Sequence, residues 1–287
     1  MANVAVLTDS CASIPEGLIE RLHIHTVAYY IHRGEEILRD LVTIQREEFL
    51  RWMMTARVIP TTACPGPNDY YESYKNLAGE GREEIVSIHM TSKASGAYQA
   101  ATVAQTMMKD EFPDIRIEVV DTQNVSLCQG WMVIEAARAA LAGLSLDRIT
   151  ATVKEMIPIT HMIQTADTLK YLYLGGRIGA AQHLVGSMLH IKPLIGMADG
   201  VIVPLGRTHS RGQAYQQMAE MVTETISKGR AKVAYVHAGA LREVEKLREL
   251  VESKVDVVES LIAELSPALA VHTGPGTAGL CYYPVDA

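Results

Sequence analysis

Short apolar runs rich in β-branched residues alternate with helix-period stretches along the first half of the chain. Each run leads into a polar loop of Thr, Ser, Asp or Gly, which is the arrangement of βα units that feed a parallel sheet. The predicted strands are residues 4–8, 85–89 and 115–120, and the helices that follow them are residues 15–21, 97–109 and a helix ending near Leu141. The pattern therefore predicts a three-layer α/β domain built on a parallel sheet.

One segment between the first two units breaks this pattern. Residues 25–32 and 36–38 are apolar and aromatic, and they flank Arg33-Gly34. A glycine-containing turn between two short strand-like runs predicts a hairpin.

The second half has a less regular pattern. Its predicted helices are residues 167–174, 180–189, 213–227 and 241–253, and its predicted strands are residues 191–197, 201–205, 232–237, 255–262, 268–273 and 280–283. Asp199-Gly200 is a strong hairpin turn signal between two of these strands. We therefore predict a second, α+β domain with a mixed or antiparallel sheet. Because Pro158 follows a helix-like run, we expect domains 1–157 and 158–287.

Composition restricts the class of partner. The chain has 287 residues, enough for two cores, and 26 Lys and Arg against 33 Asp and Glu give a net charge of −7. This charge opposes non-specific binding to nucleic acid or to anionic lipid surfaces. No apolar stretch reaches the roughly 18 residues of a membrane span, so we expect no integral membrane insertion and a cytoplasmic location.

Cysteine and histidine show no metal-binding pattern. The four cysteines, Cys11, Cys64, Cys128 and Cys281, are scattered, and no HxxxH or HExxH motif occurs among the ten histidines. We expect neither a metal nor another cofactor. The paired tyrosines, of which Tyr29-Tyr30 is the first, are typical of ordinary packing and only secondarily of a lipid tunnel.

The best candidate for an anion site is the loop Thr91-Ser92-Lys93-Ala94-Ser95-Gly96, after the second predicted strand. Such loops lie at the carboxyl edge of a parallel sheet, where helix amino termini present free N–H groups. Ser92 and Ser95 can donate hydrogen bonds to a carboxylate, and Gly96 allows the backbone to approach it. The same residues also suit simple helix capping.

Two further loops carry similar chemistry. Thr61-Thr62 precedes the helix that starts near Asn68, and helix entry alone does not require both hydroxyls. Residues 272–277, His-Thr-Gly-Pro-Gly-Thr, place His272 at the end of a predicted strand, and Gly274 and Gly276 allow close backbone approach to a ligand. A lone histidine is also compatible with a structural role.

Basic residues follow two other elements. Arg177 comes after Gly175-Gly176, which is typical of a helix C-cap with a solvated arginine, and equally of a phosphate or partner contact. Arg207 lies just after a predicted strand and adds to this basic charge.

Taken together, these motifs resemble the DegV family. The resemblance covers nearly the whole chain and rests on Asp9-Ser10, Thr61-Thr62, residues 91–99, residues 167–169 through 175–178, Ile191-Lys192-Pro193 and residues 272–276. Two positions depart from the family pattern. Ala63-Cys64-Pro65 stands where the family commonly has Ser-Gln-Pro, and Ala97 replaces a threonine in Ser-Gly-Thr-Tyr.

The resemblance implies two α/β domains with a long-chain fatty acid between them. It implies that Thr62, Ser92 and His272 hold the carboxylate, with Ser95 as an additional donor, while the tail occupies an apolar tunnel. In the better understood members such a carrier presents the acid to an ATP-binding fatty acid kinase subunit, which makes the acyl phosphate for phospholipid metabolism. Arg177 matches the arginine that the family associates with phosphoryl transfer or partner docking, and we group Arg207 with it.

Two enzymatic alternatives remain at this point. In a serine or threonine hydrolase acting on a lipid or ester, Ser92 or Thr62 would be the nucleophile and His272 the base, but no Gly-x-Ser-x-Gly elbow occurs. In a nucleotide or phosphosugar enzyme, residues 175–179 and 274–279 would bind phosphate, yet neither segment matches a dinucleotide fingerprint or a P-loop.

Overall fold

A computed structural model describes residues 4–187, 191–227 and 229–285. Its strands are β1 Val4–Asp9, β2 Ile24–Val27, β3 Tyr30–Arg33, β4 Glu36–Arg39, β5 Thr61–Ala63, β6 Glu84–His89, β7 Arg116–Asp121, β8 His161–Thr165, β9 Lys192–Ala198, β10 Val201–Thr208, β11 Arg230–His237, β12 Asp256–Glu264 and β13 Ala278–Val285. Its helices are α1 Glu16–Arg21, α2 Arg46–Thr55, α3 Pro67–Gly79, α4 Ala97–Glu111, α5 Ser126–Leu141, α6 Leu146–Met156, α7 Lys170–Leu174, α8 Arg211–Ile226, α9 Leu241–Glu252 and α10 Pro267–Thr273. Three stretches form 3₁₀ turns: Ser10–Ala12, Ile157–Ile159 and Gly179–Ser187.

The first half folds around a parallel sheet of four strands in the order β2-β1-β6-β7. All six residues of β1 are buried, because helices cover both faces of a parallel sheet. The three predicted strands and the helices after them correspond to β1, β6, β7, α1, α4 and α5. The prediction of an α/β fold with a parallel sheet is confirmed.

A small antiparallel sheet, β4-β3-β5, lies beside the parallel one. The predicted hairpin around Arg33-Gly34 is present as β3 and β4, but the single strand expected over residues 25–32 is wrong. The first part of this segment is β2, which joins the parallel sheet, and the strand structure is interrupted at Tyr29, before β3 begins. There the backbone N–H of Tyr29 donates to the Ser10 hydroxyl at 3.1 Å and its carbonyl accepts from Asp40, so it pairs with loops instead of a strand.

The second half forms a six-stranded sheet in the order β10-β9-β8-β13-β11-β12. Only β11 and β12 run parallel, and the other neighbours are antiparallel, which confirms the predicted mixed sheet. The hairpin turn at Asp199-Gly200 is also confirmed, with φ of 48° and 76° at the two residues. Helices α8 and α9 cover one face through buried side chains such as Met218 and Leu247.

Three helix and strand assignments need correction. Residues 268–273 are not a strand but belong to α10, because the Ser266 hydroxyl accepts from the Leu269 N–H and Pro267 occupies the first helical position. The helix expected from Asp167 starts only at Lys170. The helix expected over residues 180–189 is a run of 3₁₀ turns over Gly179–Ser187, and its last two residues lie outside the described part.

Helix α5 joins the two sheets. It packs on the parallel sheet, and its Trp131 indole N–H donates to the Cys281 carbonyl of β13 at 3.2 Å. Farther along, Arg138 makes a bidentate pair with Glu259 of β12, at 2.8 and 2.5 Å. The main hydrophobic core accordingly contains residues of both halves. The boundary near Ile157-Pro158 separates the strands of the two large sheets, and as a domain boundary it stays a prediction.

Gly130 lets α5 approach the 3₁₀ turn Ser10–Ala12. A Cβ at this position would lie 2.8 Å from the Ala12 carbonyl oxygen and overlap Leu127. Gly130→Ala should therefore lower the free energy of unfolding by about 2 kcal/mol or more, as overpacking does. Urea denaturation measures this change.

Gly17 in α1 is the matched control, because nothing lies within 4 Å of a Cβ built there. Gly17→Ala should stabilise the protein by roughly 0.5–1 kcal/mol, since alanine is the better helix former. Equal effects of the two substitutions would contradict the packing assigned to α5.

Candidate functional site

A cavity of about 370 Å³ lies at the carboxyl edge of the parallel sheet, where the loops after β1, β6 and β7 converge. This is the usual position for a ligand in an open parallel sheet. The opposite wall comes from β8, β9, β10, α7 and α10, so both halves of the chain contribute. Most of the wall is apolar, formed by Met90, Val125, Met162, Leu172, Ile195, Met197, Val201, Ile202, Leu265 and Leu269.

Thr62 and His272 meet at this cavity although 210 positions separate them in the chain. The Thr62 hydroxyl lies 2.8 Å from Nε2 of His272. Strand β5, which the sequence analysis did not predict, presents Thr62 by pairing it with Ile31 of β3, and Thr61 does not line the cavity. His272 lies in the last turn of α10, not at a strand end.

The surroundings of His272 keep its ring neutral. Burial, and secondarily the positive charge of Arg177, lowers the pKa of His272 to about 4. A neutral imidazole has one N–H, and Nδ1 of His272 has no hydrogen-bond partner within the described residues. Nδ1 instead faces the backbone of Gly175, where any Cβ would overlap it.

Ser95 brings a second hydroxyl to the cavity. Its Oγ lies 2.6 Å from the Tyr29 hydroxyl and accepts from the Ala97 N–H at 3.3 Å, at the start of α4. Gly96 also lines the cavity, and a Cβ there would lie 3.3 Å from the Cys64 sulfur. Tyr29 therefore contributes to the site through its hydrogen bond with Ser95, whereas the sequence pattern indicated ordinary packing for the paired tyrosines.

Ser92, the other predicted serine, does not line this cavity. It lies at the start of the same loop, and its backbone N–H donates to the carboxylate of Asp121 at 3.2 Å from each oxygen. The geometry of the loop therefore favours Ser95 over Ser92 as the serine that meets a ligand.

Arg177 crosses the edge of the cavity. Its guanidinium is exposed and donates to the carbonyls of Ala94, at 3.3 Å, and Gly175, at 2.6 Å. It therefore ties the turn after α7 to the loop that carries Ser95. Arg207 is exposed on β10, opposite Pro193, and does not line the cavity.

Gly274 and Gly276 have positive φ values, both 80°, but neither lines the cavity. A Cβ on Gly274 would overlap the Tyr171 ring, and one on Gly276 would lie 2.7 Å from the Asp167 carboxylate. The close approach expected at these glycines is thus to protein side chains, which hold the end of α10. Gly175 has the analogous role for His272, a role that the sequence analysis missed.

A Ser-His-Asp arrangement exists elsewhere, in the core. His89 lies 2.6 Å from the Ser87 hydroxyl and 3.0 Å from the Asp9 carboxylate, and all three are fully buried. Asp9 also accepts from the backbone N–H of Cys11 and of Met90, two residues of the cavity wall. Since no substrate can reach Ser87, this network positions the wall.

A metal site and a membrane span find no support in the described ranges. No cluster of three or more His, Cys, Asp or Glu side chains there could hold a metal ion. Among the helices of the same ranges, none is both long and apolar enough to cross a membrane.

Comparison with known proteins decides the family. A family model described as "Uncharacterised protein, DegV family" matches residues 3–285. The chain belongs to the DegV family. A DegV domain-containing protein of Halalkalibacterium halodurans is 32% identical over 286 residues, which is 99% of each chain.

Two solved DegV structures have the same fold. A fatty-acid-binding DegV family protein from Thermus thermophilus is 31% identical, with a TM-score of 0.91, over 98% of this chain and 99% of that one. DegV, a fatty acid binding protein from Bacillus subtilis, is 28% identical with a TM-score of 0.88, over 99% and 100% of the two chains. The resemblance to the DegV family is therefore confirmed along the full length.

The neutral state of His272 gives a measurable prediction for this DegV protein. In an NMR titration the ring signals of His272 should show an inflection near pH 4, far below the ordinary value for histidine. The pKa of His272 is lower in the folded than in the unfolded state. The free energy of unfolding should therefore decrease as the pH falls from about 6.5 towards 4.

Arg177→Met should raise the pKa of His272, since it removes a nearby positive charge. Arg207→Met is the matched control, because Arg207 is outside the cavity and should leave the titration unchanged. A His272 inflection near pH 6.5 in the unaltered protein would contradict the described burial.

Proposed function

We propose that this protein binds a long-chain fatty acid in the cavity, with the carboxylate held directly by the hydroxyls of Thr62 and Ser95 and indirectly by His272, which orients Thr62. The observation that carries the proposal is the convergence of these three polar side chains at one cavity whose remaining wall is mostly apolar. Fatty acid binding by DegV proteins of Thermus thermophilus and Bacillus subtilis supports it. The site would then lie between the proposed domains 1–157 and 158–287.

The hydroxyls of Thr62 and Ser95 can each donate a hydrogen bond to an anion. When Nε2 carries the ring proton of the neutral His272, it donates to Thr62 Oγ1, and the Thr62 proton is free for a ligand. Ser95 Oγ already accepts from Ala97 N–H, and it can also accept from Tyr29, so its proton is likewise free. Hydrogen bonds from such polarised hydroxyls to a carboxylate are charge-assisted and strong.

The remaining charge near the site also favours a carboxylate. Arg177 lies at the edge of the cavity, and the amino end of the 15-residue helix α4 begins at Gly96. Both place positive potential beside Ser95. The apolar wall then accounts for the tail, since burial of each CH₂ contributes about 0.8 kcal/mol.

The first test is mass spectrometry of gently purified protein under native and then denaturing conditions. We expect one fatty acid per chain, retained in the folded state and released on unfolding. Protein that carries no lipid and takes up no added fatty acid would contradict the proposal.

Thr62→Val should weaken fatty acid binding by about tenfold or more, because it removes one charge-assisted hydrogen bond while keeping the shape of the side chain. Thr61→Val is the matched control, since Thr61 adjoins Thr62 on β5 but does not line the cavity. Displacement of a fluorescent fatty acid measures both.

A second pair of variants separates the two serines. Ser95→Ala should weaken binding to a similar extent, and Ser92→Ala should have little effect, because only Ser95 lines the cavity. The reverse result would assign the carboxylate to Ser92, as the sequence analysis favoured.

We further propose that the protein is the binding subunit of a fatty acid kinase and presents the carboxylate to an ATP-binding partner. In that reaction a carboxylate oxygen attacks the γ-phosphorus of ATP, and ADP leaves with the electron pair of the broken P–O bond. The exposed guanidinium of Arg177 beside the carboxylate site supports this role, with Arg207 as a second basic contact farther away.

Arg177→Ala should weaken fatty acid binding by no more than about threefold, because the charge that Arg177 adds beside Ser95 is exposed and screened, while the hydroxyls that hold the carboxylate remain. It should abolish ATP-dependent acyl phosphate formation in the presence of a bacterial fatty acid kinase subunit. Release of ADP and trapping of the acyl phosphate with hydroxylamine measure the reaction. Unchanged turnover by the variant would count against the role of Arg177.

A further inference from the structure

A second polar point in the cavity wall lies on α5, outside the elements that carry Thr62, Ser95 and His272. Ser126, the first residue of α5, lines the cavity and is 1% exposed. Its hydroxyl has no hydrogen-bond partner among the described residues. A buried hydroxyl without a partner destabilises a fold, so this one requires an explanation.

The backbone at Ser126 adds a second observation. Its φ of 58° lies in the left-handed region, which serine adopts uncommonly. Strained residues that persist in a fold cluster at ligand sites. The strain at Ser126 is held by a loop in which the side chain of Asn124 bonds to the Thr160 carbonyl at 3.2 Å.

Helix α5 offers donors beside this hydroxyl. It is 16 residues long, and Val125 at its N-cap provides no side-chain hydrogen bond to the first turn. The first N–H groups of a helix have no acceptor within the helix and attract an oxygen atom. Gln164, which is 3% exposed on β8, brings an amide to the same cavity.

We propose that Ser126 and the amino end of α5 form a second polar subsite, which binds a hydroxyl group on the acyl chain. The preferred ligand is then a hydroxy fatty acid, because a hydroxyl both accepts from the helix N–H groups and exchanges a hydrogen bond with Ser126. The proposed carboxylate site lies on other elements of the fold, namely β5, α10 and the loop before α4. This inference rests on the proposed fatty acid binding and specifies its substrate class.

The test compares hexadecanoic acid with a series of its monohydroxylated positional isomers, by displacement of a fluorescent fatty acid. At least one isomer should bind about fivefold more tightly than hexadecanoic acid, the gain typical of one additional hydrogen bond. Ser126→Ala should reduce this preference to less than about twofold and bind hexadecanoic acid at least as well as the unaltered protein. Alanine keeps the Cβ and therefore the backbone strain, so the variant removes only the hydroxyl.

Ser92→Ala is the matched control, since Ser92 belongs to another loop after the sheet and lies outside the cavity. It should keep the preference for the hydroxylated isomer. Thermal unfolding monitored by circular dichroism establishes that each variant is folded.

Two results would overturn the subsite while leaving fatty acid binding in place. Every isomer could bind no more tightly than hexadecanoic acid, or the preference could persist in Ser126→Ala. If the unaltered protein binds neither hexadecanoic acid nor any isomer, the proposed function itself fails, and the subsite with it.

Discussion

The burial of α5 between two sheets is the constraint on which the site depends. Most of its residues are buried, among them Gly130 against the turn after β1 and Trp131 against β13. A helix packed on both sides fixes the distance between the parallel sheet and the mixed sheet, since packed interiors do not deform continuously. The cavity is the space that remains where the loops of the first sheet face β8, β9 and β10.

The elements that the sequence predicted best are those set by local pattern. β1, β6 and β7 follow from apolar runs before polar loops, and Asp199-Gly200 marks its hairpin because that turn requires two positive φ values. The segment with His272 shows the limit of this reasoning. Its apolar residues fit a strand or a buried helix equally, and Ser266-Pro267, a helix start signal, decides the outcome.

The site itself could be predicted in its residue types but not in its full arrangement. Thr62 and His272 are 210 positions apart, and no spacing rule connects β5 with α10. Ser92 and Ser95 belong to one loop with the same chemistry, and only the turn of the chain shows which one faces the cavity. Gly274 and Gly276 are ambiguous for a related reason. A positive φ indicates that the backbone lies close to another group, but it does not identify that group. At Gly276 the neighbouring group is the carboxylate of Asp167.

Gly175 connects the exposed turn after α7 to the partly buried ring of His272. Because it lacks a Cβ, Nδ1 of His272 rests directly against its backbone, and the next residue but one is the exposed Arg177. A side chain at position 175 would push against the imidazole ring and disturb its 2.8 Å contact with Thr62. The backbone of an exposed turn thus limits the space of a partly buried ring without involving either of the two sheets.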